Sequence, residues 1–428
     1  MSKESAPPTP RTLAVAQQDT TGSRFALSVA LLIAVPLLAL NLRPAVTSMG
    51  TVLADVRSDT GMSAALASAV VAAPVWCFAA GGGLAWAMRV RWGTTRTVAL
   101  ALTVLMIALA GRVAAGPYVL LAGTVTACLA IAVLGTMLPA IVHAAPAGGW
   151  ATLTGCYVAA LGGGSAVGAL ITPQITDHTS WKVGASSWAL LAGAGWIIWQ
   201  VAARRLSEQS MSAVRRPGPM TLTPLGTAWD LTIHFGLTSG VTFTIMGWLP
   251  SMLRDRSHVP SSQIGWLFTI AMALGVPVAL RVPRWARRAR SQSLLAVILA
   301  LPAVIAVGGL LYVPTIAPLA WAIGLGLGMP AVGLALALIS LRADSRQDTA
   351  AALSSMVQGV GYAIAGTIAL GAGLLHSFTG SWEWPLAALL IILIAQAVTG
   401  TWAGRPVTIY SKPKNGPLVI PHQRVGTR

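Results

Sequence analysis

The chain has 428 residues, of which 55% are hydrophobic and only 9% charged, with a formal net charge of +17 and a mean hydropathy of +0.73. Soluble domains carry about 25% charged residues, so these figures exclude an ordinary soluble protein and point to one that crosses a membrane many times. Cys77, Cys128 and Cys156 all lie in apolar runs without CxxC spacing, which argues against a metal or redox motif and reads them as packing residues.

Residues 1–24 are polar and rich in Pro, Thr and Ser, without the order of a signal peptide, and read as a disordered cytoplasmic tail. After them come apolar runs that continue for about 20 residues, the length that crosses a bilayer as a helix. Short alternating segments, the mark of a membrane β-barrel, are missing. Turn signals and charges divide the runs into twelve spans: 26–53, 63–87, 97–115, 118–142, 150–173, 183–203, 228–252, 262–281, 291–312, 315–341, 350–374 and 384–404. The stretches 113–176 and 291–341 contain no Asp, Glu, Lys or Arg and must each hold more than one span.

Orientation follows from basic residues in the short loops. With the N-terminus inside, most of the 28 lysines and arginines fall on the cytoplasmic side, leaving Arg57, Lys182, Arg254 and Arg256 outside and Arg43 and Arg112 within spans. Both termini are therefore expected inside, and the basic charge needs no nucleic-acid partner. The hydrophilic segment 204–227 divides the chain into a six-helix bundle at 25–203 and a second at 228–404, with a cytoplasmic tail at 405–428. Thr179-Ser180-Trp181 lines up with Gly380-Ser381-Trp382, and Arg89-Val90-Arg91-Trp92 echoes Arg281-Val282-Pro283-Arg284-Trp285, as a duplicated carrier requires. The expected fold is thus an all-α membrane protein of two pseudo-symmetric bundles.

Ala39-Leu40-Asn41-Leu42-Arg43-Pro44 sets an arginine inside the first span, about 25 Å along it at 1.5 Å per residue. A charge there is costly unless it faces a cavity or a partner. Arg43 is therefore the leading substrate-binding candidate, with Asn41 beside it; a snorkelling or structural Arg43 is the alternative. An arginine fork suits a small oxyanion or carboxylate. Tyr157 in span five and Gln358 in span eleven occupy equivalent places in the repeat, and Tyr362 lies one turn from Gln358 on the same face. His234 in span seven could donate to substrate or carry a coupled proton, against the alternative of a neutral histidine bonded to a carbonyl. Trp76 could line the cavity. Arg112 and Trp248, near outer span ends, are gating candidates, Arg112 with snorkelling and substrate contact as its other readings. Trp181, Trp188, Trp382 and Trp384 read as interfacial belt. The Gly162-Gly163-Gly164-Ser165 cluster, with Gly168, permits close helix crossings, and no phosphate-binding loop is present.

No carboxylate lies mid-span, so the cargo is expected to be anionic or a small polar neutral molecule. Neither metal nor organic cofactor is expected, with proton coupling left open. A small-molecule substrate and the lipid bilayer are the expected partners of a monomeric carrier.

Ala39-Leu40-Asn41-Leu42-Arg43-Pro44-Ala45-Val46-Thr47-Ser48, Leu138-Pro139-Ala140, Gly247-Trp248-Leu249-Pro250, Gln358-Gly359-Val360-Gly361-Tyr362 and Gly373-Leu374-Leu375-His376 resemble the cyanate and 2-nitroimidazole transporter family of the major facilitator superfamily. The resemblance covers roughly residues 25–404. It implies a twelve-span alternating-access carrier of the bacterial cytoplasmic membrane, with Arg43, Tyr157, His234, Gln358 and Tyr362 near the central cavity. Two readings of the activity follow: a secondary transporter of a small anion or polar compound, or an exporter of drug-like compounds through an aromatic pocket with Arg43 structural. A membrane enzyme lacks a His/Asp/Glu or Ser/His constellation at one face.

Overall fold

The computed structural model describes residues 30–143, 150–204, 220–343 and 347–413. The expected tail at 1–24, most of the linker at 204–227 and the end of the C-terminal tail lie outside these residues. The described chain is helical almost throughout: α1 (30–40), α2 (Pro44–Thr60), α3 (Ala64–Gly111), α4 (Pro117–His143), α5 (Trp150–His178), α6 (Trp181–Ser186) and α7 (Trp188–Ala203) precede the linker. After it come α8 (Leu225–Ser257), α9 (Ser261–Arg288), α10 (Ser293–Tyr312), α11 (Pro318–Gly328), α12 (Ala331–Arg342), α13 (Gln347–Thr379) and α14 (Glu383–Ala403). Among the described residues, eight helical segments are long and apolar enough to cross a membrane. Several helices overrun their apolar cores. The last turn of α8 carries Arg254 and Arg256, and α2 ends on Gly61 in the left-handed conformation, well past residue 53.

Helix α3 has 48 residues, roughly 72 Å at the helical rise, more than twice the hydrocarbon thickness. It is interrupted at Gly93, where φ is 74 and ψ 166, a backbone that suits glycine. The sequence places the turn between spans two and three at that point.

Helices from before and after the linker pack directly, α2 against α8, α3 against α13 and α5 against α9. One apolar core runs through these contacts, and a smaller one joins α8, α9, α12 and α13 at the end opposite Gly61. At the Gly61 end the duplicated Ser-Trp has one job in both places. The Trp181 indole donates to Asp59 Oδ2 at 2.9 Å, tying α6 to α2, and the Trp382 indole donates to Asp255 Oδ2 at 2.9 Å, tying α14 to α8. Trp181 and Trp382 are buried, and the Trp188 indole donates to Thr172, so only Trp384, largely exposed, fits the interfacial belt.

Two short strands join the linker to the C-terminal tail. Met220–Thr223 (β1) pairs antiparallel with Tyr410–Pro413 (β2), Met220 opposite Pro413 and Thr223 opposite Tyr410. Leu222 and Ile409 are buried against the smaller core, and Ile409 N–H donates to the Arg342 carbonyl at 2.6 Å. The Arg342 guanidinium in turn bonds the carbonyls of Ala403 and Gly404 and the Gln292 side chain.

Candidate functional site

The first span is broken. Helix α1 stops at Leu40, Asn41-Leu42-Arg43 is non-helical, and α2 restarts with Pro44 at its first position. Proline has no N–H to give and fits the first turn of a helix, which sets the restart here. Arg43 is the N-cap residue of α2, with φ −120 and ψ −40, rather than one residue of a continuous helix. Glycines of α5 admit the break: a Cβ on Gly164 would stand 2.9 Å from the Leu40 carbonyl oxygen, and one on Gly168 2.8 Å from Pro44 Cα.

The Arg43 guanidinium points to α8. Its carbon lies 5.7 Å from the Phe243 ring centroid, and Nη1 lies 3.9 Å from the Met246 sulfur. Tyr157 on α5 and Tyr362 on α13 lie within electrostatic range of Arg43 and of each other. Tyr362 anchors an aromatic cluster, with ring centroids 5.4 Å from Phe78, 5.0 Å from Phe235 and 6.4 Å from Phe243. The ion pairs among the described residues are Lys182 with Asp59 and Arg256 with Glu383, so Arg43 has no carboxylate there.

Magnitudes separate the two arginines of the apolar interior. A charge at a helix centre costs about 2.5–3.5 kcal/mol on the mildest scale, and a cation–π contact returns about 0.5–2 kcal/mol. Arg43 is therefore only partly compensated by these neighbours. Arg112, 1% exposed, donates Nη2 to the Ala185 carbonyl at 2.8 Å and Nη1 to the Ala45 carbonyl at 3.5 Å. Its charged hydrogen bonds, worth about 1.5–3 kcal/mol when well made, join α3 to α2 and α6. Buried and bonded to carbonyls of two other helices, Arg112 acts as a strut rather than snorkelling to an interface.

Other candidates divide by the side of the helix they occupy. Asn41, 3% exposed, donates its amide to Leu37 O at 2.9 Å and to Leu191 O at 3.2 Å, with Gly195 leaving room for it. Both bonds brace the break against α1 and α7. His234 is fully buried, with Nδ1 3.1 Å from the Gln396 carbonyl and Gly400 under the ring, so it belongs to the α8–α14 contact. A carbonyl only accepts, so Nδ1 carries the proton in that bond. The residue after it, Phe235, is buried in the smaller core, against the Tyr362 ring and Gly361.

Gln358 is half-buried and donates Nε2 to Ser354 Oγ at 2.7 Å, one turn along α13 from Tyr362. Trp76, 44% exposed, lies over Gly366 where α3 crosses α13. Trp248 is buried between α8 and α13, its indole donating to Ala369 O at 3.4 Å and its ring 5.5 Å from Trp382, in the seam near the Gly61 end.

Sequence reasoning missed Phe78, Phe235, Phe243 and Met246. A signal existed: the chain has only 6 phenylalanines, so three in spans two and seven deserved attention.

The sequence model of the Major Facilitator Superfamily matches residues 31–366. The cyanate transport protein CynX of Escherichia coli is 29% identical over 371 residues, 85% of this chain and 94% of the relative. A 2-nitroimidazole transporter of the same organism is 27% identical over 379 residues, 88% of this chain and 96% of the relative. Among solved structures, a point mutant of the nucleoside transporter NupG superposes with a TM-score of 0.70 at 11% identity, covering 86% of this chain and 98% of that one. A D-xylose-proton symporter gives 0.63 at 12% identity, covering 89% and 98%. The fold, the family match and the full-length relatives agree: this chain is a transporter and belongs to the Major Facilitator Superfamily.

Proposed function

We propose that this transporter is a secondary, alternating-access carrier of a small anion or small polar organic compound, and that Arg43 supplies the charge that binds it. The carrying observation is the guanidinium at the break of the first span, facing Phe243 and Met246 with Tyr157 and Tyr362 within electrostatic range and without a carboxylate among the described residues. An oxyanion or carboxylate would complete it with charge-assisted, two-pronged bonds, while Tyr157 and Tyr362 donate from the flanks. Gln358 and Trp76 extend the same wall along α13 and α3. The reading includes twelve crossings in two six-helix halves, both termini cytoplasmic, a monomer in a bacterial cytoplasmic membrane. Relatives described as carrying cyanate and 2-nitroimidazole support small cargo of this kind.

A ligand-induced thermal-shift screen of the purified chain with cyanate, 2-nitroimidazole and small carboxylates tests it. At least one anion should stabilise the native protein, Arg43→Ala should abolish the shift, and Arg43→Lys should keep part of it. An unchanged shift in the alanine variant would refute the role of Arg43.

A second reading, export of nitroheterocyclic or drug-like compounds, is favoured by the Phe78, Phe235, Phe243 and Tyr362 cluster beside the Met246 thioether. It predicts efflux indifferent to substrate charge and preserved in Arg43→Ala. Proton coupling through His234 is tested by His234→Gln: loss of substrate-driven proton movement supports it, and unchanged movement removes it.

A further inference from the structure

Arg43 precedes the linker, yet Phe243 and Met246, both beside its guanidinium, stand on α8 beyond it. The backbones meet close by: a Cβ on Gly50 would stand 2.6 Å from the Met246 carbonyl oxygen. The Phe243 ring is itself held, its centroid 5.7 Å from Phe78 and 6.4 Å from Tyr362. The charge proposed to meet the cargo therefore bridges the α2–α8 seam through an aromatic face and a thioether.

We propose that Phe243, with Met246, is an internal stand-in for the cargo, holding the Arg43 guanidinium across the seam when the site is empty and so allowing the empty carrier to close. Closing this seam without any partner would strand a cation between apolar helices. A ring face and a sulfur offer a weak, unhydrated partner that yields to an anion, because charge-assisted bonds to an oxyanion are stronger. A carrier with such a stand-in can return empty and perform net transport; one without it is driven toward exchange. This inference rests on the reading that Arg43 binds cargo, but its test needs no ligand. Should Arg43→Ala keep ligand binding, that reading falls while the distances below still decide the role of Phe243.

The experiment uses full-length, ligand-free protein in lipid nanodiscs, with Cys77, Cys128 and Cys156 replaced and spin labels on Ser58→Cys of α2 and Ser377→Cys of α13, both exposed near the Gly61 end. Pulsed EPR reads the ratio of short to long distances. Phe243→Leu, which keeps bulk without a ring, should shift that ratio about tenfold toward open, equivalent to about 1.4 kcal/mol. Phe243→Trp should stay as the native protein, and Phe243→Ile gives the leucine comparison a second time. In an Arg43→Met background, Phe243→Leu should add nothing, since the interaction it removes is already gone. An equal shift with and without Arg43 would assign Phe243 to ordinary packing and overturn the proposal, as would no shift in the leucine and isoleucine variants.

Discussion

Arg43 and Arg112 carry the same charge into the same apolar bundle, and their partners decide what each does. Arg112 ends on backbone carbonyls, so Arg112→Met should lower the melting temperature without changing ligand affinity in the surviving folded fraction. Asn41→Ala removes two buried amide bonds that brace the break and should cost about 1–3 kcal/mol of stability, read as reduced thermal stability of the ligand-free protein. His234→Gln should leave ligand affinity within about twofold, because the ring faces Gln396 and Gly400 rather than Tyr362; a tenfold loss in a binding titration would put the histidine back in the site. Arg43, Tyr157 and Tyr362 were legible in the sequence because a polar group in a long apolar run is costly wherever it points. The separation of Asn41 from Arg43 was not, because it depends on a break that turns neighbouring residues to different helices. The different surroundings of His234 and Phe235 were hidden for a related reason: residues one apart on a helix face different ways, and only tertiary contacts say what each side meets.

At the level of elements, the first span matters most. Pro44 signals an interruption, yet a hydropathy reading fuses α1 and α2, since apolar residues continue on both sides of it. Gly164 and Gly168 let α5 approach this break. Gly164→Val should therefore displace Arg43 and weaken ligand binding more than tenfold while leaving α5 helical; intact affinity in a titration of that variant would show that the approach is dispensable. The Ser-Trp echo was visible as a repeat, but its function was not. Hydropathy sends a terminal tryptophan to the interface, whereas Asp59 and Asp255 draw the two indoles inward. Trp382 also stacks on His376 at 3.9 Å and packs on Trp248, while Trp181 packs with Lys182 over its ring. Trp382→Phe should accordingly lower the melting temperature more than Trp181→Phe, and the reverse order would contradict this account of the two ties.

For the whole molecule, composition was sufficient for the class of protein, because so few charges over so many apolar residues leave no soluble alternative. The contacts of α2 with α8, α3 with α13 and α5 with α9 were not legible, since each joins helices distant in sequence. Nor was the ribbon that joins the linker to the C-terminal tail: two four-residue strands carry too little pattern to stand out beside long helices. Ile409 is fully buried beneath Arg342, so Ile409→Asp should detach β2 from β1 and raise hydrogen exchange at Leu222 and Ser411. Unchanged protection there would mean the ribbon does not depend on that anchor. These contacts bring Arg43, Tyr157, Phe243 and Tyr362 from four separate elements to one place, where the proposed carrier meets the cargo's charge with Arg43. The most direct test is saturable transport in proteoliposomes of the best anion from the thermal-shift screen, beside its neutral isostere, by the native chain, Arg43→Lys and Arg43→Ala. The native chain should prefer the anion, lysine should keep a minor part of that preference, and alanine should lose it with an affinity drop of about tenfold to a hundredfold. Native affinity and native anion preference in Arg43→Ala would contradict the proposed role of Arg43.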